Sequence, residues 1–166
     1  MSVRVKLNLV VDGVESVANV GAGNATAINK HLFELAKTYA NGTGANQQDK
    51  IYSTTQTVNG NTDINLTTAT NEETGTAISL ASVSGFIVYN HSTTSGQTVT
   101  VGGAPSNPFI TWLIATGDGN VIGPGGVLIQ TSPVDGWAVT ASTADILRIA
   151  TSASLTFTVI VWGQDT

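Results

Sequence analysis

The sequence predicts a mainly β protein: an antiparallel β-sandwich, jelly-roll-like body with an N-terminal β-hairpin and one α-helix ahead of it. Three observations predict it. From Ile51 onward, short β-prone runs alternate with turn residues at the spacing of sandwiches and barrels. Pro105, Pro108, Pro124 and Pro133 all fall between those runs, and Gly123-Pro124-Gly125-Gly126 is the sharpest turn signal. Hydrophobic residues make up 41% of the 166, in compact alternating runs, so a core can form although only 10% are charged.

In chain order, Val3, Val5, Leu7 and Leu9 alternate with Arg4, Lys6 and Asn8, the period of a half-buried strand. Asp12-Gly13 is a residue pair that favours a tight two-residue turn, so a return strand is expected over about Val14 to Val20. Gly21-Ala22-Gly23-Asn24 breaks it. A helix is expected over roughly 25–40, capped by Asn24 or Thr26, because Ile28, Leu32, Leu35, Ala36 and Tyr39 recur at helical spacing. Asn41-Gly42-Thr43-Gly44 ends it, which divides the chain into a hairpin-plus-helix arm, 1–41, and a β body, 42–166. Strands of the body are expected at 51–58, 62–67, 76–80, 84–91, 97–101, 109–115, 126–131, 136–140, 145–150 and 154–162. The last reads as a central strand because it is rich in β formers and holds no Pro or Gly.

Charge bounds the function. The net charge is -5, and Arg148 is the only basic residue after Lys50. Nucleic-acid affinity comes largely from several Lys or Arg contacts to phosphate, so this body is not expected to bind nucleic acid. Arg4, Lys6, Lys30, Lys37 and Lys50 are offset by Asp12, Glu15, Glu34 and Asp49 and read as solvated charges. There are no cysteines, so disulfides and thiolate metal sites are excluded. No run approaches the roughly 18 apolar residues of a membrane helix, and the start lacks a signal peptide's apolar stretch. No membrane partner is expected, and synthesis is expected in the host cytoplasm.

Catalytic chemistry finds few residues to work with. His31 and Glu34 share a helical spacing that metal ligands use, but a surface polar pair explains it, and no ligand is assigned. His91 lies in a loop-like stretch, and no Gly-x-Ser-x-Gly elbow supplies a nucleophile. Gly102-Gly103 and Gly117-Asp118-Gly119 lack the Gly-Lys-Ser/Thr ending of a phosphate loop. Paired carboxylates for glycoside hydrolysis could be drawn from Asp118, Asp135 and Asp145, but turn chemistry accounts for the first two. Trp112, Trp137 and Trp162 suggest a sugar-stacking platform, against which stands their apolar strand context. No catalytic residue, metal or cofactor is expected.

Four stretches resemble small β-rich virion proteins of tailed bacteriophages. They are Gly42-Thr43-Gly44-Ala45-Asn46-Gln47-Gln48-Asp49-Lys50; Val99-Thr100-Val101-Gly102-Gly103-Ala104; Pro124-Gly125-Gly126-Val127-Leu128; and Gly136-Trp137-Ala138-Val139-Thr140 followed by Ala144-Asp145-Ile146-Leu147-Arg148-Ile149. The closing Val161-Trp162-Gly163 adds to the likeness, which spans about 42–163. It implies a non-enzymatic structural protein of the virion, a capsid decoration or cement protein on the outer head shell. Its partners would be the major capsid protein and copies of itself, as a homotrimer. A tail, collar or fibre-associated component is the alternative, and a carbohydrate-binding or adhesion module that touches a host glycan the second. The arm would then reach another subunit, with Val3, Val5, Leu7, Leu9, Ile28, Leu32, Leu35 and Tyr39 as contact candidates.

Overall fold

The computed structural model describes residues 3–18, 26–72 and 74–165. Twelve strands run in the order β1 Val5–Ala18, β2 Thr26–Asn41, β3 Gln47–Gln48, β4 Lys50–Val58, β5 Asn61–Asn65, β6 Ser82–Asn90, β7 Val99–Gly102, β8 Gly119–Ile122, β9 Val127–Thr131, β10 Trp137–Ala138, β11 Ile146–Thr151 and β12 Leu155–Gln164. No helix occurs among the described residues.

The expected helix is therefore corrected to a strand. β2 pairs antiparallel with β1 over its length, from Val5↔Tyr39 to Ala18↔Thr26. Local helix propensity in Lys30–Lys37 loses because a short isolated helix is marginal in water, whereas the Val-rich β1 offers β2 a long antiparallel ladder of hydrogen bonds and apolar cross-strand pairs. The tight turn at Asp12-Gly13 is corrected as well: Gly13 sits mid-strand opposite His31. A turn there would set Leu9 against Ser16 and Leu7 against Ala18. The observed register sets Leu9 against Leu35, Val11 against Phe33 and Val5 against Tyr39, and such apolar cross-strand pairs decide between registers. Of the expected return strand, Val14–Ala18 continues β1, and residues 19–20 and the capping candidate Asn24 lie outside the described residues.

The body is built from two antiparallel sheets. One runs β9-β6-β12-β4, with β10 sharing the β9 side of β6; the other runs β5-β11-β7-β8. Alternation sends one side of each sheet into a common core. Phe86 and Val88 of β6, Phe157, Val159 and Val161 of β12, and Tyr52 of β4 meet Ile64, Val99, Val101, Ile122, Leu147 and Ile149 of the other sheet. Asn90 lies wholly buried among them, and its amide donates to the carbonyls of Gln97, Ile122 and Gly123 at 3.0, 3.3 and 3.0 Å. A buried amide satisfied this way stitches β6 to the ends of β7 and β8.

Two expected strands are loops instead. Residues 76–80 hold Ile78 and Leu80 in the core, but their amides bond to the Ala69 and Leu66 carbonyls of a covering loop. Residues 109–115 turn at Ile110–Leu113 and contribute Phe109 and Trp112 as plugs. Both runs are apolar because they close the core, not because they pair. Conversely β8 starts at Gly119, a glycine where a Cβ would press on Thr100 of the neighbouring strand, and the adjacent glycines made it read as a turn.

On the outer side of the second sheet, Arg148 forks onto Asp63 at 2.7 and 2.8 Å. The guanidinium holds the Asp63 carboxyl below its ordinary range. A depressed carboxylate stabilises the fold above about pH 4 and ceases to do so as pH falls through its folded value. Because the pair is exposed to solvent, Arg148→Ala is expected to cost about 0.5 kcal/mol at neutral pH and low salt. Thermal unfolding should show that difference vanish at pH 2 and shrink in 1 M salt, on the order of complete screening.

Candidate interaction surface

Directly opposite residues of an antiparallel pair share a face, so the hairpin has one apolar side: Val5/Tyr39, Leu7/Lys37, Leu9/Leu35 and Val11/Phe33. Its inner end is seated on the body. Val3, Leu7 and Tyr39 are buried there, and Trp162 of β12, only 1% exposed, meets Tyr39 edge-on with ring centroids 5.8 Å apart. Trp162 points away from the main core, onto the outer side of the sheet with Ile160, Ile51 and Ile87. Gly85 makes room for it, since a Cβ at that position would collide with the indole ring. Burial raises the Tyr39 phenol pKa.

Backbone bonds fasten the base. The Val3 backbone N–H donates to Asn41 Oδ1 at 2.8 Å, and the buried side-chain Nε2 of Gln48 donates to the Tyr39 carbonyl at 3.0 Å. Gln164 Nε2 reaches the Gly44 and Gln47 carbonyls at 2.7 and 2.9 Å, tying the strand that ends β12 to the loop that follows the arm. Short β3 adds to β2 at Ala40 and Asn41.

Beyond the base the same apolar side is open to solvent: Phe33 and Val11 are each 55% exposed and Leu35 40%. Val10 and Leu32 are exposed on the opposite side. The contact candidates from the sequence thus divide. Val3, Leu7 and Tyr39 pack against the chain's own body, Val5 and Leu9 are half-buried, Leu32 and Leu35 are exposed, and the side chain of Ile28 lies outside the described residues. Phe33 and Val11 went unnoticed because a helical stripe skips Phe33 and a turn at Asp12 ends the strand at Val11.

The catalytic candidates stay apart. His91 Nε2 shares a hydrogen bond with Thr158 Oγ1 at 2.8 Å and its ring leans on Tyr89, on the exposed side of the first sheet. Asp118 accepts from the Ala115 amide at 2.8 Å within its own turn, and Asp135 is exposed. Asp145 is buried, and its Oδ2 accepts from the Ser142 amide at 2.9 Å and from Asn65 and Thr67 at 3.2 and 3.3 Å. That carboxylate organises the loops entering β11. Glu34 stands on the exposed arm opposite Val10, and the side chain of His31 lies outside the described residues. Among the described residues no three His, Asp or Glu side chains converge as a metal site.

The three tryptophans do not share one surface. Trp162 is covered by Tyr39, whereas Trp112 and Trp137 are half-buried against Phe86, at 4.9 and 6.0 Å between ring centroids. The Trp112 indole N–H donates to the Phe109 carbonyl at 3.0 Å. Across β4 and β12 the outer side is a ladder of hydroxyls, Thr55 with Thr158 and Thr57 with Thr156, each at 2.7 Å. Among the described residues no helix is long and apolar enough to cross a membrane. Comparison with protein-family models, curated proteins and solved structures finds no match to this chain.

Proposed function

We propose that this chain is a non-enzymatic structural protein of a tailed-phage particle, a capsid decoration or cement protein that binds the outer head shell as a homotrimer. The observation that carries this reading is the arm: its base is held on the body, and Val11, Phe33 and Leu35 of its apolar side stand open to solvent beyond that base. A soluble chain gains nothing from such a surface unless another protein covers it, because exposed apolar patches mark contact sites or aggregation hazards.

The body supports the same reading through its strand order. Eight strands paired β9-β6-β12-β4 and β5-β11-β7-β8, with first beside last, make the jelly roll, an architecture of viral capsid and lectin domains. Fold alone does not assign function, and the burial of Trp162 against Tyr39 takes one of the three rings out of any sugar-stacking platform. The neutral threonine face suits close packing among many identical neighbours, which charge repulsion would oppose.

Quantitative mass spectrometry of purified particles tests the proposal. A decoration protein is expected at hundreds of copies, in fixed ratio to the major shell protein. A count near a dozen places it in the tail, collar or fibre, and its absence from particles removes the reading altogether.

A further inference from the structure

We propose that the outer half of the arm docks on a second copy of this chain, the Val11–Phe33 pair of one copy entering a groove between arm base and body of the next. The groove holds about 250 Å³ and is lined by Val5, Leu7, Ile51, Ile87, Ile160 and Trp162. An apolar cavity of about 150 Å³ accommodates benzene, so a phenylalanine ring fits. A chain's own Phe33 cannot fill it: six strand residues separate Phe33 from Tyr39 at the base, about 20 Å.

Charge selects the same occupant. Residues 1–41 hold four basic and three acidic residues, and residues 42–166 two basic and eight acidic, so the arm is +1 and the body -6. Within the arm the charge is divided: residues 8–36 hold Asp12, Glu15 and Glu34 against Lys30, a net -2, and Arg4, Lys6 and Lys37 stand at the base. Locally, Arg4 and Lys6 border the groove, and Asp12 and Glu34 are the chain neighbours of Val11 and Phe33. Seating the tip brings the acidic half of one arm to the basic border of the next copy's groove.

Area and topology agree. The free ribbon from Asn8 to Ala18 is about 36 Å long and about 10 Å wide, so one face and its receptor bury about 700 Å². That alone is too little for a stable complex. If every copy gives one arm and receives one, a closed ring makes each copy break two such contacts to leave, and the two act together. Such a head-to-tail contact closes into a ring when the rotation allows, and it covers apolar surface beside the otherwise unpaired outer edge of β1. The inference stands on this geometry alone, independent of any particle.

The test is the mass of the purified full chain by light scattering and native mass spectrometry over micromolar concentrations. An oligomer is expected, and Phe33→Asp, at an exposed position, is expected to reduce it to monomer with unchanged thermal melting. Because the chain lacks cysteine, Phe33→Cys mixed with Ile87→Cys or with Ile160→Cys should form a disulfide-linked pair on oxidation. Phe33→Cys mixed with Ile114→Cys, a fully exposed position elsewhere on the body, should not. Wild-type chain that stays monomeric, Phe33→Asp that keeps the oligomer, or equal cross-linking at Ile87, Ile160 and Ile114 overturns the proposal. Copy number on particles leaves this result untouched, so the two readings fail separately.

Discussion

Trp162→Ala is expected to lower the stability of the protein by about 3–5 kcal/mol, the usual cost of deleting a fully buried aromatic ring. For a chain of this size that amounts to a fall of roughly 10 °C or more in melting temperature, readable by calorimetry. The ring fills the space between Tyr39 and Gly85, so its removal leaves a cavity where the arm base meets the body. The arm base should loosen with it: amides of Val5 to Leu9, bonded across to Leu35–Tyr39, should lose exchange protection well before those of β7 and β11. Trp112→Ala, at a half-buried ring, is the control and should cost less while leaving the base protected. Equal loss of protection in both variants would mean that Trp162 does not anchor the arm.

Much of the body could be read from the chain because its two sheets each bury one side. In β11 the order Ile146-Leu147-Arg148-Ile149 already separates core residues from Arg148, and in β12 Leu155, Phe157 and Val159 alternate with threonines. The seat of Trp162 was harder to see. From Val159 to Trp162 alternation gives way to a continuous apolar run, the mark of a strand covered on both sides, and what covers it lies 120 residues earlier, beyond the reach of local pattern. The arm misled for a related reason. Leu32, Leu35 and Tyr39 satisfy a helical stripe and Phe33, Leu35 and Tyr39 satisfy a strand, and only the register with β1 chooses between them. Asp12-Gly13 was read by its turn chemistry, which the longer register overrules. Runs 76–80 and 109–115 show the limit of reading apolarity as pairing: buried loops that cap a core look like strands in sequence.

Shortening the arm separates fold from assembly. Replacing Asn8–Ala36 with Asn-Gly joins the facing pair Leu7↔Lys37 by a two-residue turn of the type that fits a hairpin's twist. Everything that covers Trp162 stays in place, namely Val3, Leu7 and Tyr39, so melting is expected to shift by only a few degrees, about the effect of 1 kcal/mol. Removing 1–41 entirely is a poorer experiment, because it uncovers Trp162 and confuses lost stability with lost docking. The shortened chain should fail to bind particles stripped of this protein, as sedimentation of particle-bound against free chain would show, and occupancy should fall by at least tenfold, about 1.4 kcal/mol. Full occupancy by the shortened chain would locate assembly in the body's own faces, whose exposed Tyr89, Val127 and threonine ladder would then be the surface to mutate.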